Sequence, residues 1–247
     1  MTAQQSSSLR LDNVTVKFGG LTVLNRLSVE FGAAPISSLI GPNGAGKTTV
    51  FNVFSGLVKP TEGRVLFQGR DITGASPVSI ARMGIIRKFQ VPTVFPGLSV
   101  GDNLKVAARA PRQRHEPGDG DGWAIDDVTD LLQLSGKKQR PAAELSHGER
   151  QWLEIGMAFL GRPKFLLLDE PAAGLGPDES EHTARLIKEI SAHCAAVVIE
   201  HDMSFIRSLG GHIIVLHQGA VLRQGTMEDI EDDAVVRDIY LGRNTHA

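Results

Sequence analysis
The segment Gly41-Pro42-Asn43-Gly44-Ala45-Gly46-Lys47-Thr48-Thr49 fits the pattern G-x-x-x-x-G-K-[ST] and follows a strand-like apolar run, Ile36 to Ile40. Residues of these types in this order cradle the phosphates of a nucleotide. Bare backbone at Gly41, Gly44 and Gly46 lets successive N–H groups turn inward around an anion, and a helix starting near Lys47 points its positive end at the same spot. Lys47 then reaches the β- and γ-phosphates, and the Thr48 hydroxyl holds Mg2+. The competing reading is a plain glycine-rich turn, which the strand before and the helix after argue against.

A second group is Phe165-Leu166-Leu167-Leu168-Asp169-Glu170-Pro171, an apolar strand that delivers two carboxylates at its C-terminal end, where α/β sheets place their ligands. Alone, such a pair is an ordinary helix-initiating one. Beside a phosphate loop, Asp169 fits an outer partner of the Mg2+ held by Thr48, and Glu170 fits a base or positioner for an attacking water. Ser146 and Gly148 open a helical stretch that includes Trp152 to Leu160, so a hydroxyl and exposed N–H groups could receive an anion there. Taken singly, Ser146 is a good N-cap, Gln90 a loop residue, His201 a surface or core histidine, and Phe18 a strand-end aromatic.

The elements that must hold these groups are legible in the periodicity. Leu9 to Phe18 alternates apolar and polar residues and Leu21 to Phe31 continues in short strand-like pieces, which predicts a twisted antiparallel β layer. Thr48 to Leu57 reads as a helix, Gly63 to Gln68 and Ile85 to Phe89 as strands. From Pro92 to Gly161 the character changes. Ser99 and Asp102 form a capping-box-like start for a helix through Ala108, the polar loop Pro111 to Gly122 follows, and Trp123 to Leu134 resumes helical spacing. This predicts a helical sub-domain at 92–161, inserted in a domain spanning 9–243, with flexible tails at 1–8 and 244–247. The loop's Asp119 to Gly122 is the expected disordered segment, and no glutamate follows to complete a calcium loop. Phe165 to Leu168 and Ala195 to Ile199 are solid apolar runs with a helical stretch, Asp178 to His193, between them, which implies parallel strands buried on both faces. Ile213 to Leu216 makes one more strand, and Asp232 to Leu241 a closing helix. The fold class is α/β.

Bulk properties set few further limits. With 247 residues the chain can bury a substantial core, and 26 Lys+Arg against 28 Asp+Glu give no basic surplus that would suggest nucleic acid. One cysteine, Cys194, allows no intramolecular disulfide and fits a reducing compartment as a small core residue. No run approaches the ~18 apolar residues of a membrane span, and Met1 to Ser8 lacks the plan of a signal peptide. The expectation is a soluble chain whose membrane role, if any, comes through a partner.

Taken in order, these motifs resemble the ATP-binding subunits of ABC transporters from about Leu9 to Arg243. The phosphate loop is similar to Walker A and Phe165 to Glu170 to Walker B. Leu145-Ser146-His147-Gly148-Glu149 resembles the Leu-Ser-Gly-Gly-Gln signature, Gln90 the Q-loop glutamine, Ala173-Gly174-Leu175-Gly176 the D-loop, His201 the switch histidine, and Phe18 the aromatic under adenine. The resemblance implies a P-loop NTPase core with an N-terminal antiparallel β layer and an inserted helical sub-domain. It also implies ATP and Mg2+ as ligands, with Gln90 contacting Mg2+ or the attacking water and His201 the γ-phosphate. Ser146 and Gly148 would bind the γ-phosphate held by an opposite subunit in a head-to-tail dimer. Its implied partners are that second ATPase subunit, transmembrane permease subunits and, indirectly, an extracytoplasmic solute-binding protein, which places the chain at the cytoplasmic face of the membrane. His147 and Glu149 depart from the usual Gly and Gln, and Gly176 from the usual Asp, so the contribution of that Asp does not carry over.

Two phrases, Gly84 to Phe95 and Leu145 to Met157, are similar to the branched-chain amino-acid and amide importer group, particularly its urea-importer ATPase subunit, as is the ending Tyr240-Leu241-Gly242-Arg243. The lipopolysaccharide-export type is the runner-up within transport. A nucleotide-binding regulator without turnover is opposed by Glu170, and measured phosphate release separates the two.

Overall fold
Apolar runs without polar alternation form the middle of a six-stranded sheet, because both of its faces are covered. The computed structural model describes residues 8–88, 94–109 and 123–241. The chain runs through β1 (Leu9–Phe18), β2 (Leu21–Phe31), β3 (Ile36–Ile40), α1 (Lys47–Phe54), β4 (Glu62–Phe67), β5 (Arg70–Asp71), α2 (Pro77–Arg82), β6 (Ile85–Lys88) and α3 (Val100–Ala108). It continues through α4 (Ile125–Leu131), α5 (His147–Leu160), β7 (Phe165–Asp169), α6 (Pro177–Ser191), β8 (Ala195–Ile199), α7 (Met203–Leu209), β9 (His212–His217), β10 (Ala220–Gly225), α8 (Met227–Asp232) and α9 (Ala234–Val236).

The large sheet has the order β10-β9-β3-β8-β7-β6. Its β9-β3-β8-β7-β6 part is parallel and β10 closes one edge antiparallel to β9. Side-chain alternation divides β7 between two cores: Phe165 and Leu167 join the cluster under the small sheet, whereas Leu166 and Leu168 join the helices opposite. That two-sided burial explains the near-continuous apolar spelling.

The small sheet, β2-β1-β4-β5, is antiparallel and covers α1, with Phe31 and Phe54 in edge contact at 5.6 Å between centroids. Register shifts along β1, one of them at Asn13 with φ 52°, bend it over the core. The opposite cluster joins Val100 and Leu104 of α3, Val128 of α4 and Leu153 of α5 to Leu166 and Leu168.

Most expected elements are present with shifted ends. β2 is one continuous strand, and α3 starts at an N-cap, Ser99, whose Oγ accepts from Asp102 N at 3.1 Å. The helix expected at Trp123 to Leu134 shortens to α4, after which Gln133 turns the chain at φ 55°. The closing helix expected from Asp232 to Leu241 starts two residues later: Asp233 is extended, its carboxylate accepts from the N–H groups of Val235 and Val236 to start α9, and the chain continues directly as a π-helix, Arg237–Leu241. The Asp119 to Gly122 segment, the tail at 244–247 and most of the tail at 1–8 lie outside the described residues.

Candidate functional site
The phosphate loop leaves the fully buried β3 at the carboxyl edge of the parallel sheet. Gly41 has φ 149°, and a Cβ there would stand 2.2 Å from Leu216 O; at Gly46, φ 104°, it would stand 2.7 Å from Leu24 Cδ2. Only glycine fits either position. Lys47 Nζ donates to Gly41 O at 2.7 Å and to Pro42 O at 3.2 Å, which holds the ammonium over the loop. Burial pushes the Lys47 pKa below its ordinary value, while the negative charges of Glu170 and Asp169 oppose the shift. No acidic residue lies in the first turn of α1, so no carboxylate of the helix itself offsets its positive end. Asn43, Gly44 and Thr48 are exposed, Pro42 and Thr49 are partly buried, and Ala45 is buried. Ala45 O accepts from Gly219 N, and Gly219 O accepts from Asn25 N, both at 3.1 Å, which ties the loop to β2. The β1–β2 hairpin ends in Phe18 and Leu21, 51% and 67% exposed.

Two strands away, Asp169 closes β7. Arg87 NH2 donates to Asp169 Oδ2 at 2.7 Å and Arg87 NH1 to Asn52 Oδ1 at 2.7 Å, with the guanidinium 5.5 Å from the Phe51 ring centroid. The other carboxylate oxygen, Asp169 Oδ1, is buried without a protein partner. A buried carboxylate oxygen left open near the Lys47 ammonium suits a metal ion or its bound water. Glu170 takes a left-handed backbone, φ 49°, uncommon for a non-glycine residue, and its Oε1 lies 3.9 Å from His201 Nδ1. His201 is exposed at the end of β8 and also lies 3.7 Å from Glu200 Oε2. Lys47, Asp169, Glu170 and His201 therefore converge on one sheet edge.

Ser146, exposed, and Gly148, buried, stand at the start of α5. Ser146 caps α5 in a reciprocal box with Glu149: Glu149 N donates to Ser146 Oγ at 3.2 Å and Ser146 N donates to Glu149 Oε2 at 3.1 Å. Burial raises the Glu149 pKa, but the Lys137 ammonium and the Ser146 N–H outweigh it and leave the carboxyl lowered. A Cβ at Gly148 would meet Glu179 Oε1 at 2.6 Å, and Glu179 Oε2 accepts from Gly176 N at 3.2 Å. The start of α5 is thus fastened to the segment after β7.

Two residues of the edge were not read from the sequence as site residues, Arg87 and Glu200. Glu200, 1% exposed, accepts from Ala172 N at 2.9 Å and from His201 N at 3.0 Å, joining the turn after β7 to the histidine. Burial raises its pKa, and these N–H bonds partly offset the rise. The available signal was an acid closing the apolar run Ala195 to Ile199, as Asp169 closes its own. For Arg87 it was a pair of adjacent cations, Arg87-Lys88, in an otherwise apolar strand. Gln90 lies outside the described residues.

A family model described as "ABC transporter" matches residues 24–173. The high-affinity branched-chain amino acid transport ATP-binding protein BraF of Pseudomonas aeruginosa is 36% identical, with 95% of this chain and 97% of that protein covered. The lipopolysaccharide export system ATP-binding protein LptB of Acidithiobacillus ferridurans is 34% identical, covering 96% of this chain and 98% of its own. Among solved structures, the ADP conformation of MJ1267, an ATP-binding cassette of an ABC transporter, superposes with a TM-score of 0.83 at 29% identity, covering 96% of this chain and 99% of that one.

Proposed function
Because the chain belongs to the ABC transporter ATP-binding family and is an ATPase coupled to transport, we propose that it drives uptake of urea or short amides, with the converging residues as its hydrolytic site. The observation that supports this most is the gathering of Lys47, Asp169, Glu170 and His201 at the carboxyl edge of one sheet. In this reading Lys47 exchanges the neutral Gly41 and Pro42 carbonyls for β- and γ-phosphate oxygens. The loop backbone from Gly41 to Thr49 encloses the phosphates, and Phe18 stacks under the base.

Thr48, Asp169 through its open Oδ1, and Gln90 would hold Mg2+. That ion would neutralise phosphate charge. Glu170 accepts a hydrogen bond from the attacking water and aims it in line with the γ-phosphate, which His201 contacts. Ser146 and Gly148 receive the γ-phosphate of a second ATPase subunit, so ATP draws two subunits together head to tail. Among the described residues no helix is long and apolar enough to cross a membrane. Coupling then runs through permease subunits docked near 90–96, where Phe95 is 48% exposed.

The solute assignment rests on the phrases Gly84 to Phe95 and Leu145 to Met157. Import of branched-chain amino acids is the second reading, favoured by the 36% identity to BraF. The test is vesicle uptake by the chain with its native membrane subunits, using urea, short amides and leucine, beside phosphate release by wild type and Lys47→Ala. Urea uptake lost in Lys47→Ala supports the proposal. Leucine uptake without urea uptake moves the protein to the second reading, and wild-type hydrolysis in Lys47→Ala refutes the phosphate-loop assignment.

A further inference from the structure
The turn that carries Glu170 is gripped from two sides. Within it, Glu170 N donates to Ile199 O at 2.9 Å and Ala173 N donates to Glu170 O at 3.2 Å. On the β8 side, Glu200 accepts the Ala172 N–H. On the α5 side, His147 Nε2 lies 3.1 Å and Gln151 Nε2 3.0 Å from the same acceptor, Ala173 O. His147 and Gln151 are one helical turn apart, so both reach the same point from one face of α5. Their side-chain nitrogens are 3.0 Å from each other. With hydrogen on Nε2 the imidazole donates to Ala173 O. In the other tautomer Nε2 can accept from Gln151, whose amide then donates to Ala173 O alone. Either way an N–H reaches this carbonyl.

The neighbouring glycine fits this contact. Gly174 has φ 75°, and a Cβ on it would lie 3.3 Å from His147 Nε2, so the ring rests against bare backbone. His147 is itself exposed, and burial of an apolar surface does not account for its position.

We propose that His147, together with Gln151, is a positioning residue that sets the Glu170 turn from the first turn of α5. The inference rests on the reading above in which Ser146 receives a partner's γ-phosphate and Glu170 aims the attacking water. Ser146 is the residue immediately before His147, and Ala173, whose carbonyl His147 and Gln151 reach, bonds Glu170 O through its own N–H, so a single residue links the two functions within one subunit. Docking of a phosphate on Ser146 thereby settles the geometry of the glutamate that serves the other nucleotide. The side chain acts through the Ala173 peptide and touches no reacting atom.

The experiment compares His147→Ala, His147→Gln and Gln151→Ala with wild type, measuring steady-state phosphate release, its cooperativity in ATP, and ATP binding to the monomer by equilibrium dialysis. Loss of a hydrogen bond of ordinary strength that is needed in the reacting geometry lowers kcat by about tenfold in His147→Ala. ATP affinity of the monomer stays at the wild-type value, cooperativity falls, and His147→Gln, whose amide can donate to the same carbonyl, recovers most of the rate. Wild-type kcat and cooperativity in His147→Ala overturn the proposal. So does an equal loss in monomer affinity, which marks a merely structural contact. Ser146→Arg is the control for the underlying reading. If it blocks hydrolysis while His147→Ala does not, only the positioning role fails; if Ser146→Arg hydrolyses ATP normally, the shared-site dimer fails first.

Discussion

Replacing Arg87 by methionine strands the Asp169 carboxylate in the interior without its cation. The two side chains are 6% and 1% exposed and meet at 2.7 Å, so neither charge can turn to water. Methionine retains much of the apolar stem beside Phe51 but removes both charge-assisted bonds, to Asp169 and to Asn52. Breaking a buried pair by deleting one partner costs about 3–5 kcal/mol, because the surviving charge stays buried. Net stabilities of about 5–15 kcal/mol make that a large fraction of the total. With a urea m-value of about 3 kcal/mol/M, the unfolding midpoint should fall by about 1–2 M. The assay is equilibrium unfolding in urea without nucleotide, on wild type, Arg87→Met, Asp169→Asn and the double variant. Because Arg87→Met/Asp169→Asn no longer buries an unpaired charge, it should regain much of the loss. A shift below about 0.3 M in Arg87→Met, or a double variant as unstable as the single one, would refute the claim that this ion pair is held dry.

Three further outcomes are expected. Glu170→Gln keeps the shape of the side chain but loses the charge that attracts the water's proton, so single-turnover phosphate release should slow by roughly 10²–10⁴-fold with ATP binding intact; normal turnover would show the glutamate to be only a turn residue. Burial raises the Glu200 pKa, so the folded state favours its protonated form, and wild type should lose stability relative to Glu200→Gln as pH climbs from the ordinary value near 4.5 through the raised one; a stability difference that is flat across pH 4–7 would contradict this. Cys194 is buried and its thiol is pushed up to about 12 by burial, so an aromatic disulfide reagent should leave it unmodified in the native protein and react rapidly in urea.

The sequence displayed the strands best where both faces are covered. Phe165 to Leu168 and Ala195 to Ile199 read directly as β7 and β8, and the Ser99 cap gave the start of α3. Ends of helices were less legible, since they depend on single residues taking special backbone: Gln133 at φ 55° shortens α4, and the extended Asp233 moves the start of the closing helix to Ala234. β10 was missed altogether. It is an edge strand with mixed, half-exposed residues and no period strong enough to declare it. At the site, the phosphate loop is legible because its function fixes residue type at fixed spacing. Arg87 and Glu200 are not, because each acts on a partner brought near only by the sheet: Arg87 on Asp169 across paired strands, Glu200 on Ala172 and His201.

The pairing of β6 has a mechanical corollary. This edge strand carries two successive cations that are bolted to opposite layers, Arg87 to Asp169 and Asn52 on one face and Lys88 to Glu154 of α5, at 3.2 Å, on the other. Residue 89 follows directly. Tension applied along the backbone there loads both ion pairs at once, and a slip of about 1 Å would take the 2.7 Å bond of Arg87 beyond hydrogen-bond range. Such a strand transmits displacement as a stiff rod does, with little slack: a pull at its end must either shift α5 and the Asp169 carboxylate together or be resisted by both.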